Sequence, residues 1–594
     1  MNNPTSIHPS YLKNASRFLL AYFLDSDDKW RARLLLAGSI LSVLAISGLG
    51  LCLGWWCFPN IYAALMAKDT ALLLTNLAYS FVVSGGMACF QWLAHNLKNT
   101  LYVQWRDWLY KKTTDQYLYG KTNYLEIARS YKAIDNPEQR IQEDINHVVD
   151  SSLDLAIGFI NNLTNLIIYT TLLYLTGSTL SFTLLGLNIV IPGFLVWTAL
   201  TVGIGTSLIG YFINRPLHEL TTEETISQSN LRTNLRDISN FSEEVAIEHA
   251  EKYHADRLAK QIDDLSIKTT RRLSIQNRTA TFNAFNSNFQ MLVPFLAAAP
   301  LYFNNLISLD AFYTVGFYFS MMTSSLSWFI ESFEKINRFQ TSLGRILSLQ
   351  EVLDQNNNAS TQKIIRLVGE HDKDLVINNL DLKLHNDDAL LVKGLNLRFT
   401  PGVHTLIQAP SGTGKSSLFK AIAGTWLSGE GEIVIPTSLE TVYFLPQKPT
   451  LPHDTLRNVL AYPDAQCSYS DTELISALNA VNMGTLTDKL DTEIGFKSLG
   501  EQQRIAFARV LLRKPDWVFL DESTASLDEE VEEQVYTRLK ELLPNTTIIS
   551  IAHRSTVKRH HDHTIFFRVN DRKEVQVEEQ DLLVENESRL SAVY

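Results

Sequence analysis

Six apolar stretches, at residues 34–58, 71–95, 153–176, 188–213, 280–303 and 307–331, most constrain what this chain can fold into. Each is long enough as a helix to cross a hydrocarbon layer of ~30 Å, which takes ~20 residues. Backbone polar groups find no water at that depth, so these segments are expected to satisfy their hydrogen bonds internally, as helices in a lipid bilayer. The connection 96–152 carries eight lysines and arginines and 214–279 carries ten, whereas 59–70, 177–187 and 304–306 carry only Lys68. Positive charge gathers on the cytoplasmic side, so both long connections and both termini are expected there. Those connections are polar and free of Pro/Gly clusters, which predicts helices running well past the bilayer.

The first apolar run begins at Leu34 after polar sequence and shows no cleavage pattern, so it reads as a retained anchor. Residues 1–33 place Tyr11, Phe18, Leu19, Tyr22 and Phe23 at amphipathic positions, which suits an interfacial helix or a partly ordered tail. Inside the spans, Asp154, Asp310 and Glu331 lie near the ends, so a proton relay has little to work with. Uncharged polar residues are plentiful instead: Asn161, Asn162, Thr164 and Asn165; Asn283, Asn286, Asn288 and Gln290; Ser320, Thr323, Ser324, Ser325 and Ser327. They suit either a wet cavity for polar cargo or interhelical hydrogen bonding.

The second half has a different texture. An Asn-rich run at 354–360 reads as a linker, and short apolar strands then alternate with helical patterns, as in an α/β domain. The strand-like run Val403 to Ile407 leads into Ala409, Pro410, Ser411, Gly412, Thr413, Gly414, Lys415, Ser416 and Ser417, followed by a helical Leu418 to Ala423. A glycine-rich turn between strand and helix points backbone N–H groups inward as a phosphate cradle. Lys415 is then placed to reach the β and γ phosphates of ATP, and Ser416 to hold Mg²⁺. Ala409 stands where the motif usually has its first glycine, and a tolerated strain is expected there. Downstream, the buried-strand run Trp517 to Leu520 ends in Asp521 and Glu522. The first is placed to bind Mg²⁺ through water and the second to polarise the attacking water.

The net charge of −11 and the lack of a Lys/Arg block exclude a general nucleic-acid binder. Cys52, Cys57, Cys89 and Cys467 show no metal-binding spacing and read as small core residues.

The six-span pattern is similar to the exporter-type permease of ABC transporters. Ser498-Leu499-Gly500-Glu501-Gln502-Gln503-Arg504, ahead of a helical stretch, resembles the ABC signature with Leu499 in place of its first glycine. In order along the chain, Gln447 resembles the Q-loop residue that touches Mg²⁺ and the permease. Ser526-Leu527-Asp528 resembles the D-loop, and His553 the switch histidine that contacts the γ-phosphate. Asp135-Asn136-Pro137-Glu138-Gln139-Arg140-Ile141 resembles the DNPDQRI motif of the SbmA/BacA-like peptide transporters and the peroxisomal fatty-acyl half-transporters. Val293-Pro294-Phe295, Pro300 to Phe303, Ser327-Trp328-Phe329 and Arg345-Ile346 are similar to the SbmA/BacA-like (YddA-like) set. The stretch 214–251, with Glu223, Glu224, Glu243 and Glu244, is similar to the cytoplasmic loop that meets the ATPase, and its acids fit a solvated helix face equally well. The aromatic that usually stacks on adenine has no counterpart, and His385 or an apolar contact takes its place.

The expected fold is an α-helical six-span transmembrane domain of the exporter type fused to an α/β P-loop ATPase domain. Its divisions are an N-terminal segment 1–33, a permease 34–350, a linker 351–370 and a nucleotide-binding domain 371–594. The resemblance implies a homodimeric half-transporter with Glu522, His553 and Lys415 as catalytic residues. ATP is held by 409–417, Gln447, Ser498, Gly500, Glu501 and Asp528, and Mg²⁺ by Ser416, Gln447 and Asp521. The implied cargo is a peptide or a bulky hydrophilic compound such as cobalamin, taken up across a bacterial inner membrane. The alternatives are a fatty-acyl cargo, or a membrane regulator that binds ATP and moves nothing.

Overall fold

A computed structural model describes residues 9–119, 137–176, 180–184, 187–358, 364–368, 374–384, 390–410, 412–426, 428–436, 441–464, 469–493, 498–569 and 575–581, with Tyr124, Leu125, Ile127 and Gly495 besides. It divides into two compact units, one of Met1–Gly120 with Ile134–Asp354 and one whose bulk is Gln355–Tyr594.

The first unit is helical. Helix α1 (Pro9–Asp25) buries Phe18 and Tyr22 in a cluster with Leu101, Trp105 and Leu109, and the Tyr22 ring lies 6.3 Å from that of Trp105. From Pro9 to Asp25 the N-terminal segment is therefore a packed helix. Helix α2 (Lys29–Cys52) continues through a π-turn at Leu53–Cys57 into α3 (Phe58–Ala67). A π-turn frees a carbonyl, and here the Tyr318 hydroxyl donates to Gly54 O at 2.7 Å. Lys68 then takes a left-handed conformation and Asp69 Oδ1 accepts from Ala71 and Leu72 N–H, which turns the chain sharply into α4 (Thr70–Tyr119).

Next come α5 (Ile145–Thr176), a hairpin of β1 (Leu180–Leu184) and β2 (Leu187–Ile191), and α6 (Phe194–Asn214). The fourth apolar stretch is thus helical only from Phe194, six residues later than its apolar composition suggests. Pro192 and Gly193 separate its β-branched start from its helix, and Gly193 adopts φ 62° against the Tyr174 ring, where a Cβ would come within 2.8 Å. Helices α7 (Leu217–Asn240), α8 (Ser242–Ile247), α9 (Glu251–Phe303), α10 (Leu309–Glu331) and α11 (Phe333–Asn358) complete the unit.

At 50 and 53 residues, α4 and α9 span ~75–80 Å, more than twice the hydrocarbon thickness. Among the described residues, Lys29–Ala67, Thr70–Leu118, Pro137–Thr176 and Phe194–Asn240 are long and apolar enough to cross a membrane. The fifth and sixth stretches are helical too, but their Asn, Ser and Thr residues dilute the apolar character. Several of those polar groups bond within the protein: Ser47 Oγ donates to Asn161 Oδ1 at 3.4 Å, and Thr323 Oγ1 to Gln290 Oε1 at 3.4 Å. Glu224 is buried, paired with Arg272 and bonded by Thr269 at 2.9 Å, so it braces α7 against α9. Glu243 and Glu244 are exposed. Arg140, the buried arginine of the 135–141 motif, donates to Arg345 O at 2.8 Å and Ser348 Oγ at 2.6 Å, while Arg345 pairs with Asp144 at 3.3 Å. The motif and the Arg345 region are thus two halves of one contact. Asp135 and Asn136 lie outside the described residues.

Within the stretch 351–370, α11 runs on to Asn358, anchored by buried Leu349 and Leu353, and strand β3 (Ile364–Val368) already belongs to a sheet of the second unit. That sheet has the order β3-β7-β4-β5, with β4 (Leu375–Lys383), β5 (Leu390–Phe399) and β7 (Gly429–Ile435). The larger sheet has the order β12-β11-β6-β10-β9-β8, built from β6 (Thr405–Gln408), β8 (Val442–Leu445), β9 (Trp517–Asp521), β10 (Thr547–Ile551), β11 (His563–Val569) and β12 (Val575–Asp581). Its strands β11, β6, β10, β9 and β8 are parallel and only β12 runs against them. The carboxyl ends of β6, β8, β9 and β10 therefore share one edge, where parallel α/β sheets present their ligand sites. Helices α12 (Lys415–Ile422), α13 (Leu456–Ala461), α14 (Asp471–Ala480), α15 (Leu499–Arg513), α16 (Glu529–Leu542) and α17 (Ser555–Lys558) belong to the same unit.

A buried polar chain ties α16 to this sheet. The Tyr536 hydroxyl lies 3.1 Å from Ser550 Oγ, Ser550 Oγ lies 2.8 Å from His561 Nε2, and His561 Nδ1 lies 2.8 Å from Val557 O. A carbonyl can only accept, so Nδ1 carries the proton and Nε2 accepts from Ser550. Burial pushes the His561 imidazole down to about 3, with His404, Lys540 and His560 acting in the same direction. Below pH ~6.5 the unfolded chain binds a proton that the folded one does not, so this group's contribution to stability falls as pH drops. The expected loss is about 2 kcal/mol by pH 5. Thermal unfolding of the second unit between pH 8 and 5 checks this: His561→Asn should lower the midpoint at pH 8 and flatten its fall toward pH 5.

Candidate nucleotide site

The cradle forms where β6 ends. Gly412 and Gly414 take φ values of 81° and 88°, in the left-handed region where a Cβ is disfavoured. At Gly414 an added Cβ would also come within 2.8 Å of Val392 Cγ2. Ala409 is not among the left-handed positions, so no strain attends it and the missing glycine costs nothing in backbone conformation. Ser411 lies outside the described residues, as does His385.

Lys415 opens α12 directly after Gly414 and is buried. Its Nζ donates to Ala409 O at 2.5 Å, to Pro410 O at 3.4 Å and to His553 Nε2 at 3.1 Å. Thr413 Oγ1 donates to Pro410 O at 2.9 Å, closing the loop on itself. Burial lowers the affinity of Lys415 for its proton, and Glu522 and Asp521 oppose that shift. Ser416 Oγ donates to Asp521 Oδ1 at 3.0 Å. Asp521 ends β9, and burial pushes its carboxyl up despite that bond. Ser417 follows on the same helical turn, half-buried.

Glu522 leaves the strand at φ 47°, a conformation uncommon for a residue with a Cβ, while its N–H donates to Ile551 O at 2.9 Å on β10. Its two carboxylate oxygens face different loops. Gln447 Nε2, two residues past β8, donates to Oε2 at 3.2 Å, and His553 Nε2, two residues past β10, lies 3.4 Å from Oε1. Lys415, Ser416, Gln447, Asp521, Glu522 and His553 thus converge from four strand ends. A cation, a hydroxyl, two carboxylates, a carboxamide and an imidazole around a backbone cradle can bind a polyphosphate and attack it with water. A half-buried carboxylate beside a hydroxyl is a hard-oxygen donor pair that fits a divalent cation such as Mg²⁺.

Ser498, Gly500 and Glu501 form a separate site at the start of α15. Ser498 Oγ accepts from Glu501 N–H at 3.1 Å, and Glu501 Oε2 accepts from Ser498 N–H at 3.3 Å, a reciprocal cap. Gly500 packs under the next loop, where a Cβ would come within 3.1 Å of Ser526 O. Asp528 caps α16 by its backbone, with its side chain exposed. Among the described residues, no hydrogen bond joins these four to the cradle.

Sequence reasoning gave no role to two residues that organise these loops. Gln503 is fully buried and bonds both Gln447 O and Ser526 N–H, while Arg554 donates to Leu527 O at 2.7 Å and Ala525 O at 3.0 Å. The signal for Gln503 was present: it falls four residues before Phe507 and seven before Val510, on the buried stripe of α15.

Residues 21–303 match the family model "ABC transporter transmembrane region 2" and residues 392–525 match "ABC transporter". An uncharacterized ABC transporter ATP-binding protein of Synechocystis is 32% identical over 91% of this chain and 82% of its own length. The chain belongs to the ABC transporter family. It carries a transmembrane unit and an ATPase unit in one polypeptide, as a half-transporter whose ATP hydrolysis is coupled to transport. The inner membrane ABC transporter ATP-binding protein YddA of Escherichia coli is 28% identical over 77% of the chain and 80% of its own length. The human lysosomal cobalamin transporter ABCD4 is 26% identical over 78% and 80%. The fold is similar to that of a bacterial Atm1-family ABC exporter with ATP bound, at a TM-score of 0.74 and 17% identity over 94% of this chain and 96% of that one.

Proposed function

We propose that this transporter works as a homodimer in a bacterial inner membrane, taking up peptides or bulky hydrophilic compounds such as cobalamin. The permease occupies 34–350 with six spans and both termini cytoplasmic, and the nucleotide-binding domain occupies 371–594 with β3 as its first strand. The observation that carries the ATP-driven part is the convergence of Lys415, Ser416, Asp521, Glu522, Gln447 and His553 on the cradle. The cargo reading is supported by likeness to the YddA inner membrane protein and to a cobalamin transporter.

In this reading, Ala409 to Ser417 cradle the phosphates, Lys415 neutralises charge between the β and γ groups, and His553 reaches the γ-phosphate. Ser416, Gln447 and Asp521 would hold Mg²⁺, which supplies charge neutralisation when bound. Glu522 orients and polarises the attacking water. The Ser498, Gly500 and Glu501 helix start and Asp528 face the ATP of the partner subunit, which accounts for their lack of bonds to the cradle of their own chain. ATP closes the two ATPase domains and biases a two-state permease, and hydrolysis resets it.

Accumulation of a labelled proline-rich peptide, and separately of labelled cobalamin, tests the cargo in bacteria expressing the wild type or Glu522→Gln. Accumulation by the wild type alone is expected. If neither label enters while the purified protein hydrolyses ATP, uptake of hydrophilic cargo is wrong and a fatty-acyl cargo leads. If the protein binds ATP without turnover, the non-transporting regulator leads.

A further inference from the structure

The geometry points to Gln503 as a positioning residue that sets two catalytic loops at once from inside the signature helix. Its carboxamide is fully buried and both of its ends are engaged. Nε2 donates to Gln447 O at 2.9 Å, and Oε1 accepts from Ser526 N–H at 3.2 Å. One partner can only accept and the other can only donate, so the amide has a single satisfied orientation. Both partners are backbone groups, which fixes where the chain runs whatever side chains the loops carry.

The consequence for the site follows from what each loop presents. Gln447, held by its own carbonyl, directs Nε2 onto Glu522 at 3.2 Å, so the residue that orients the Glu522 carboxylate is itself oriented by Gln503. Ser526 opens the turn that carries Asp528. The opposite side of that turn is gripped by Arg554, the neighbour of His553, through the carbonyls of Ala525 and Leu527. Arg554 in turn lies 3.9 Å from buried Glu532, which accepts from Thr556 Oγ1 at 2.6 Å. A continuous run of bonds therefore joins the loop of Gln447, the start of α15, the loop of Asp528 and the loop of His553. Losing Gln503 leaves the Gln447 carbonyl and the Ser526 amide without this partner and lets both loops drift, and sub-ångström misplacement of catalytic groups lowers the rate of the chemical step.

The inference rests on the proposed roles of Gln447 and Glu522, so its test separates the two. ATP turnover is measured on the purified full-length protein for Gln503→Met, Gln447→Ala and the double variant. Methionine keeps the volume of glutamine and removes both hydrogen bonds. Gln503→Met is expected to lower kcat about tenfold, with KM for ATP within about twofold and the unfolding midpoint little changed. Because Gln503 acts partly through Gln447, its loss should cost distinctly less in the Gln447→Ala background than in the wild type. Unchanged kcat in Gln503→Met, a joint loss of kcat, KM and thermal stability, or effects that simply multiply in the double variant would overturn the positioning role. If Gln447→Ala alone leaves kcat intact, the reading of the site fails instead. Should Gln503→Met not accumulate, Gln503→Leu carries the same test, since it too removes both hydrogen bonds.

Discussion

Replacing Glu522 with glutamine is expected to lower ATP turnover by at least ~100-fold while leaving ATP binding intact. The reasoning is geometric. Glutamine has the same shape, keeps an acceptor for Gln447 Nε2 and places the same Cβ on the strained φ of 47°. What it lacks is the negative charge that polarises the attacking water. Lys415, Ser416 and the cradle backbone do not depend on that charge for their bonds, so nucleotide should still raise the unfolding midpoint of the variant by mass action. Turnover per mole and the ATP-induced thermal shift, measured on the same preparation, decide the matter. Retained turnover would remove Glu522 from the chemistry. Lost turnover together with a lost thermal shift would make it a structural residue of the fold.

How much of this was legible in the sequence depends on the range over which each feature is encoded. The cradle is local: glycines at 412 and 414, the lysine and the serine are consecutive, and they sit between strand and helix as their neighbours' patterns require. The apolar stretches are likewise local, and all six are largely helical. The start of the fourth was misplaced because apolar content does not tell a strand from a helix, and Pro192-Gly193 carries the boundary instead. The Asn-rich run at 354–360 looked like a break, yet α11 extends to Asn358, because its register is set upstream by Leu349, Leu353 and the Arg140 contact. The strain expected at Ala409 presumed that the motif's glycine serves φ, and in this chain it does not. What could not be read at all was long-range: the bond from Gln503 to residues 56 positions before it and 23 after it has no trace in local pattern beyond a polar residue on an apolar stripe.

The second large effect concerns the strand that carries the two acids. Phe519 lies at the middle of β9, fully buried, with its ring stacked on Phe444 at 4.8 Å and meeting Phe419 edge-on at 5.0 Å. Phe444 is on β8 and Phe419 is on α12, so one ring joins the strand of the carboxylates to the strand leading to Gln447 and to the helix of Lys415. Phe519→Ala removes that ring from a close-packed site and leaves a cavity that its neighbours on separate elements cannot easily fill. The expected cost is about 3–5 kcal/mol, seen as a fall of ~10 °C in the unfolding midpoint of the ATPase unit. Phe519→Leu fills most of the space and forgoes the ring contacts, so its cost should stay near 1–2 kcal/mol. The pair separates two origins of lost activity. If Phe519 acts by packing, Phe519→Leu regains most of both stability and turnover at temperatures where it is folded. Equal losses in the two variants would show that the aromatic stack itself, and not the filled volume, holds Asp521 and Glu522 in line with Lys415.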